Sequence, residues 1–214
     1  MSIKLTYFEG NGRAFAARAA LRHAKVPFDD IRLAFPVFAE MRDKQGGYNP
    51  KIPLGQLPVL ELPSGQTFPQ SAAIARWAAK KSDLYPKDDV QALTVDVITD
   101  SAAELSNKVP NDPDPAQKKL KREEFMVKTF PRYMTFFTET IKASGGPFVL
   151  GKQFSLADLN VFSLVSTLES GFYDHLPKDA VKKDWPVVQA LYDAAKEHPV
   201  VKAELAAAPV KKKD

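Results

Sequence analysis

The chain has no cysteine among its 214 residues. Disulfides, thiolate metal sites and a cysteine nucleophile are excluded, so any thiol chemistry must use a thiol carried by the substrate. Histidine is nearly as scarce: His23, His175 and His198 lie far apart without ligand spacing, which predicts no metal site. No run approaches the roughly 20 apolar residues of a membrane helix. Met1-Ser2-Ile3-Lys4 lacks a signal-peptide pattern, so a cytoplasmic protein without a membrane partner is expected. Basic-aromatic interleaving and reader motifs are missing too, so nucleic acid is not an expected partner.

What remains is the composition of a soluble globular protein, 44% hydrophobic and 26% charged, with length for one large or two small domains. The net charge of +4 is uneven. Residues 1–81 carry twelve Lys and Arg against six Asp and Glu, whereas residues 82–214 are slightly acidic. A basic first third suits a small anionic ligand, although ordinary solvated surface accounts for most of these charges.

Ile3 to Phe8 alternates as a strand. Asn11-Gly12 breaks it, Arg13 to Lys25 reads as a helix, and Phe28 to Phe35 as a second strand, which favours a parallel pair with a crossover helix. Pro36 to Pro53 is irregular, with a short helix available over Phe38 to Lys44. Val59 to Leu62 and Thr67-Phe68 form a hairpin around Pro63-Ser64-Gly65. Ser71 then caps a helix bearing Ile74, Trp77 and Ala78 on one face. A helix start offers unpaired N–H groups and the positive end of the dipole, and so suits a carboxylate. The order β-α-β then β-β-α is thioredoxin-like. Residues 82–89 read as a linker and 90–214 as helix throughout.

Within that helical half, Val90 to Lys108 is amphipathic through Leu93, Val97, Ala102 and Leu105. Ala116 to Ala143 reads as one long helix, kinked at Pro131, with Leu120, Val127, Met134 and Ile141 seven apart on a bundle face. Ser155 and Asp158 form a variant capping box, with Phe154 and Leu159 as the staple. Val187 to Glu197 is a further helix, and Val201 to Ala208 a last turn.

These marks, in order, resemble the cytosolic glutathione transferases over essentially the whole chain. They are Tyr7 at the first strand's end, Arg13 opening the first helix, Gln56-Leu57-Pro58, Gln70-Ser71 leading into Ala73-Ile74-Ala75-Arg76, and Gly151 with the capping segment Ser155 to Asp158. The tyrosine with Gln-Ser-x-x-Ile-Ala-Arg is most similar to the sigma class, which includes prostaglandin D synthases and S-crystallins. The resemblance implies an α/β thioredoxin-like domain over 1–81, which binds glutathione, and an all-α bundle over 90–214, which contributes an apolar electrophile pocket. That pocket would lie near Phe8, Asn11 and Asn107 to Pro110.

The resemblance also assigns roles. Tyr7 is the catalytic residue: a phenol with a pKa of about 10 stays protonated and can donate to a thiolate, whose free thiol has a pKa of about 8.5. Read from the residues alone, Tyr7 is a strand-end tyrosine half buried in the core. Leu57, before a presumed cis-Pro58, pairs its backbone with the cysteinyl part of glutathione. Gln70 and Ser71 hold the γ-glutamyl end, and Gln56 lies beside the peptide. Arg13 either adds positive field at the sulfur or makes a surface salt bridge.

Phe38 stands where the family often has tryptophan, and Arg42, with Lys44 as rival, stands where a lysine meets the glycyl carboxylate. Glu104, or Asp100, aligns with an aspartate that reaches the partner subunit's glutathione, which implies a homodimer. The expected activity is attack of the glutathione thiolate on small hydrophobic electrophiles, with glutathione as co-substrate and no separate cofactor. The alternatives are a glutathione-dependent isomerase and a non-catalytic, S-crystallin-like structural protein.

Overall fold

The computed structural model describes residues 2–43 and 48–207. Two compact units emerge, Met1–Tyr85 with Pro199–Asp214, and Pro86–His198.

In the first unit, β1 (Ile3–Phe8) and β2 (Phe28–Leu33) run parallel in register Ile3 to Phe28. They are joined through a 3-10 turn (Gly12–Ala14) and helix α1 (Phe15–His23). Helix α2 (Phe35–Asp43) follows, then β3 (Val59–Glu61), β4 (Thr67–Phe68) and helix α3 (Ser71–Ala79). The sheet order is β2-β1-β3-β4, with β3 antiparallel to both neighbours. The β-α-β then β-β-α order read from the sequence is found, with α2 between its two halves. Helix α1 is buried almost all round, through Phe15, Ala16, Ala17, Ala19, Ala20 and Leu21. Alanines at these positions let it lie close to α3 and to the last helix, α10 (Pro199–Ala206).

One expectation for this unit is corrected: Phe35, read as the end of the second strand, opens α2, which starts three residues before the short helix available over Phe38 to Lys44. Asn49 helps close the loop after α2, donating from Nδ2 to the Met41 carbonyl at 3.1 Å while its Oδ1 accepts from Lys51 N–H at 2.9 Å. The terminal helix α10, where the sequence reads a last turn over Val201 to Ala208, packs on α1. Its Glu204 is a buried carboxylate bonded by Arg22 Nε at 2.7 Å. That pairing of residues 182 apart has no local sequence signal.

The second unit contains α4 (Asp89–Lys108), α5 (Pro115–Lys128), α6 (Phe130–Ser144), α7 (Leu156–Glu169), α8 (Ala180–Asp184) and α9 (Pro186–Glu197). Helix α7 is the central one, buried along most of its length between α4 and α9. At its start the Asp158 carboxylate accepts from Ser155 N–H and Oγ–H and from Val149 N–H, each at 2.8 Å.

The long helix expected over 116–143 is two helices. Pro131 has no N–H and crowds the carbonyl four residues back, so it sits in the first turn of α6 rather than inside a continuous helix. The break changes the phase. Met134 and Ile141 are buried, but Leu120 and Val127 are exposed, and Phe125 carries the core face of α5. On α4, similarly, Val95, Ile98, Ala102 and Leu105 are buried, whereas Leu93 and Val97, expected to face the bundle, are exposed beside Val90.

Candidate active site

Tyr7 lies at the C-terminal end of β1, 9% exposed. Its hydroxyl oxygen accepts a hydrogen bond from the Arg13 backbone N–H at 3.1 Å. Accepting that bond uses a lone pair, so the phenolic proton remains the group available for donation. The amide is brought there by the tight 3-10 turn. Gly12 is required in that turn twice over: its φ is +35°, and a Cβ at this position would lie 2.6 Å from Tyr7 Oη and 3.2 Å from Cε1. Asn11-Gly12 therefore does more than stop a strand; it admits the phenol against the backbone.

Tyr7, Phe38 and Leu57 share one buried cluster with Ala14, Ile52 and Val59, and Phe8 packs against it. The Phe8 ring makes an edge contact with Tyr7 at 5.2 Å between centroids, another with Phe38 at 5.2 Å, and a stacked contact with Phe35 at 6.1 Å. Phe35 is 66% exposed. The result is an aromatic shelf that begins at Tyr7 and ends in solvent. The Arg42 guanidinium stands 5.9 Å from the Phe38 ring centroid. Its stem lies beside Gly55, where a Cβ would be 3.6 Å from Arg42 Cγ. Arg42 is thus held next to the segment that contains Gln56 and Leu57. Its rival Lys44 falls outside the described residues.

The Leu57–Pro58 peptide bond is cis; both residues are buried, and Gln56 is exposed. The cap of α3 falls one residue earlier than the sequence suggests. Gln70 is the N-cap, with φ +79° and ψ 103° and no side-chain capping bond, and Ser71 is the first helical residue. A non-glycine residue in that conformation costs of order 1 kcal/mol or more and persists only where the surrounding structure holds it there. Here it starts α3 abruptly and leaves the Ser71 hydroxyl uncommitted to the cap. Helix α3 packs on α1, on the Gly12–Ala14 turn and on β3, so one scaffold positions both Tyr7 and Ser71.

Arg13 has an exposed side chain on the 3-10 turn. Glu104 and Asp100 belong to α4 in the second unit. Glu104 forms an ion pair with Lys108 at 3.3 Å and accepts a hydrogen bond from the Tyr133 hydroxyl; burial first, and then that bond, push the Tyr133 phenol up. Among the described residues, no group of three or more His, Asp or Glu is placed to hold a metal ion.

Sequence reasoning passed over three residues that shape this site: Gly12, Phe35 and Arg18. Gly12 was legible only as a break. Phe35 reads as the end of the second strand. Arg18 had a usable signal, a lone charge among Ala16, Ala17, Ala19 and Ala20 on a helix that must be buried to join two parallel strands.

A thioredoxin-like unit with a tyrosine at the end of its first strand, followed by a helical unit, defines the two-domain transferase fold. Residues 3–80 match the glutathione S-transferase N-terminal domain, and residues 99–207 match the glutathione S-transferase C-terminal domain. The chain belongs to the glutathione S-transferase family. It is 28% identical over 210 residues to a glutathione S-transferase of Anopheles gambiae, covering 97% of each chain. It is 28% identical over 207 residues to S-crystallin SL11 of Nototodarus sloanii, covering 94% of each. The structure of prostaglandin synthase D of Nilaparvata lugens aligns with a TM-score of 0.80 at 27% identity, over 98% of this chain and 100% of that one.

Proposed function

We propose that the protein is a glutathione transferase. Its first unit binds glutathione and holds the thiol as thiolate against Tyr7, for attack on small hydrophobic electrophiles. The observation that carries this reading is the Arg13 N–H to Tyr7 Oη bond of 3.1 Å, which fixes the phenol at a strand end with its proton available. A thiol with a pKa near 8.5 is only a few per cent ionised at pH 7. Lowering that pKa by two units requires about 2.7 kcal/mol, within reach of one charge-assisted hydrogen bond in a positive local field. The proton leaves to solvent. The sulfur lone pair then forms the S–C bond, and the electrophile's displaced pair leaves with its leaving group or takes up a proton.

The other binding roles are assigned by position. Leu57 offers backbone to the cysteinyl part of glutathione. Gln70, Ser71 and the first turn of α3 take the γ-glutamyl carboxylate. Arg42 takes the glycyl carboxylate, and Gln56 lies beside the peptide. The Phe8–Phe35 shelf supplies apolar contact for the electrophile, and Arg13 adds positive field. The exposed stripe Val90, Leu93 and Val97 on α4 supports a homodimer, in which Glu104 or Asp100 contacts the partner's glutathione. A cytoplasmic location belongs to the same reading.

Conjugation of glutathione to an activated aryl halide tests it: wild type should turn over, and Tyr7→Phe should lose about 10- to 100-fold in kcat/KM. Equal rates would remove Tyr7 from the mechanism. The likeness to prostaglandin synthase D favours, as a second reading, an isomerase in which glutathione is regenerated. Product formed without net glutathione consumption would select it. The likeness to an S-crystallin raises the third reading, a structural role, and the Tyr7–Arg13 geometry weighs against that.

A further inference from the structure

Behind Tyr7 lies a cluster of charged side chains that the proposed chemistry does not use. Arg18, in the middle of α1, has a side chain 0% exposed. Its Nε donates to Asp30 Oδ1 at 2.8 Å, Nη1 to the Gly10 carbonyl at 2.8 Å, and Nη2 to the Phe8 carbonyl at 3.3 Å. The guanidinium carbon also lies 5.7 Å from the Tyr7 ring centroid. Asp30, with a side chain 2% exposed, further accepts from Arg32 Nη2 at 2.9 Å and Arg22 Nη2 at 3.3 Å. Arg22 reaches on to the buried Glu204 of α10 at 2.7 Å, and Arg32 Nη1 donates to the Glu9 carbonyl at 3.0 Å. Three arginines face two carboxylates, so the cluster carries one net positive charge inside the first unit.

Burying a cation is costly, and the cost is offset only where every donor has a partner. Arg18 directs two of its donors at carbonyls rather than at carboxylates, and both carbonyls flank Glu9 in the turn just after Tyr7. That turn continues into Gly12 and the Arg13 amide, which holds the Tyr7 hydroxyl. We propose that Arg18 is a positioning residue: it clamps the Phe8–Gly10 turn so that the Arg13 amide orients the Tyr7 phenol, and it is braced from behind by Asp30, Arg32 and the Arg22–Glu204 link to α10.

The inference rests on the reading of Tyr7 as the group that activates the thiol, and its test has one readout that does not. Lysine at position 18 keeps the charge but cannot span two carbonyls and a carboxylate from one planar fork. In Arg18→Lys the thiol pKa of bound glutathione should rise by about one unit, and kcat/KM at neutral pH should fall about tenfold. KM for glutathione should stay within about twofold, because Ser71 and Arg42 are untouched. In the glutathione-free protein, hydrogen exchange at the Arg13 amide should accelerate about tenfold, with α3 and the second unit unchanged.

A folded Arg18→Lys protein with the wild-type thiol pKa overturns the proposal. If wild type itself shows no lowered thiol pKa, the transferase reading fails, and the exchange rate alone decides on Arg18: unchanged exchange overturns the clamp, and selective acceleration sustains it. If Arg18→Lys does not fold, Arg32→Lys, which loosens the same turn at Glu9, should shift the pKa in the same direction by about threefold in equilibrium. No shift in that folded variant overturns the proposal.

Discussion

Gly12→Ala is the smallest change that should disable the site without touching Tyr7. The new Cβ would meet Tyr7 Oη at 2.6 Å, against the 3.4 Å at which ordinary contact begins, and would also crowd Cζ at 3.3 Å. Roughly 0.8 Å of movement is therefore forced on either the phenol or the turn. The backbone cannot absorb it cheaply, because φ is +35° and alanine resists positive φ. The Arg13 N–H bond to Tyr7, 3.1 Å in the native protein, lies in that same gap. Misplacement of a reacting group by about 1 Å can cost on the order of 100-fold, so kcat/KM should fall by about 10- to 100-fold. Binding of glutathione at Ser71 should survive.

The decisive form of this test is a double-mutant cycle. In a Tyr7→Phe background the atom at 2.6 Å is gone, so adding Gly12→Ala should cost at most a few-fold more; the two changes are strongly non-additive. Steady-state rates for the four proteins, with circular dichroism to establish folding, complete the cycle. A folded Gly12→Ala enzyme with wild-type kcat/KM would refute the geometry. Fully additive losses would show that Gly12 acts elsewhere.

Ser71→Ala should reduce affinity for immobilised glutathione by about 10- to 100-fold, the scale of one hydrogen bond to a charged group, whereas the distant surface variant Lys119→Ala should be retained normally. Burial pushes the Asp158 carboxyl up from 3.8 to about 6 despite its three hydrogen bonds. With the folded value above the unfolded one, its contribution to stability is full below pH 4 and is lost as pH rises towards 6, by roughly 3 kcal/mol. Denaturant titrations of wild type and Asp158→Asn should diverge over that window and run parallel above it; parallel curves throughout would contradict the assignment. Sedimentation at micromolar concentration should give a dimer, and Leu93→Glu on the exposed α4 stripe should shift it towards monomer. A monomeric wild type would remove Glu104 and Asp100 from the site.

The parts of this protein that were legible in the sequence are those written in local chemistry. Strict alternation set β1 at Ile3–Phe8, and Thr67-Phe68 emerged between turn residues because a short return strand has few other settings. Ser155 and Asp158 announced α7 through their spacing alone. The failures have a common physical cause. The start of α3 is fixed by the unusual backbone of Gln70, which no side-chain pattern encodes. The seven-residue spacing across Pro131 was real, yet the break at Thr129 rotates α5 so that Val127 is 75% exposed. Arg18 of α1 is buried because Asp30 of β2 meets it, and Glu204 of α10 because Arg22 of α1 meets it; pairings between separate elements are decided by the whole fold. Of the candidate site residues, Tyr7, Phe38 and Leu57 converge in one cluster, and Arg42 stands against Phe38. The close approach of Gly12 to the phenol was not readable, since it exists only once the turn is closed.

The most direct test of the central claim is a titration of the thiolate absorbance of glutathione bound to wild type and to Tyr7→Phe. Thiol activation by Tyr7 predicts a wild-type pKa about two units below that of free glutathione, and a return towards the free value in Tyr7→Phe while binding persists. Glutathione bound by wild type with an unshifted pKa, or an equal shift in both proteins, would contradict it.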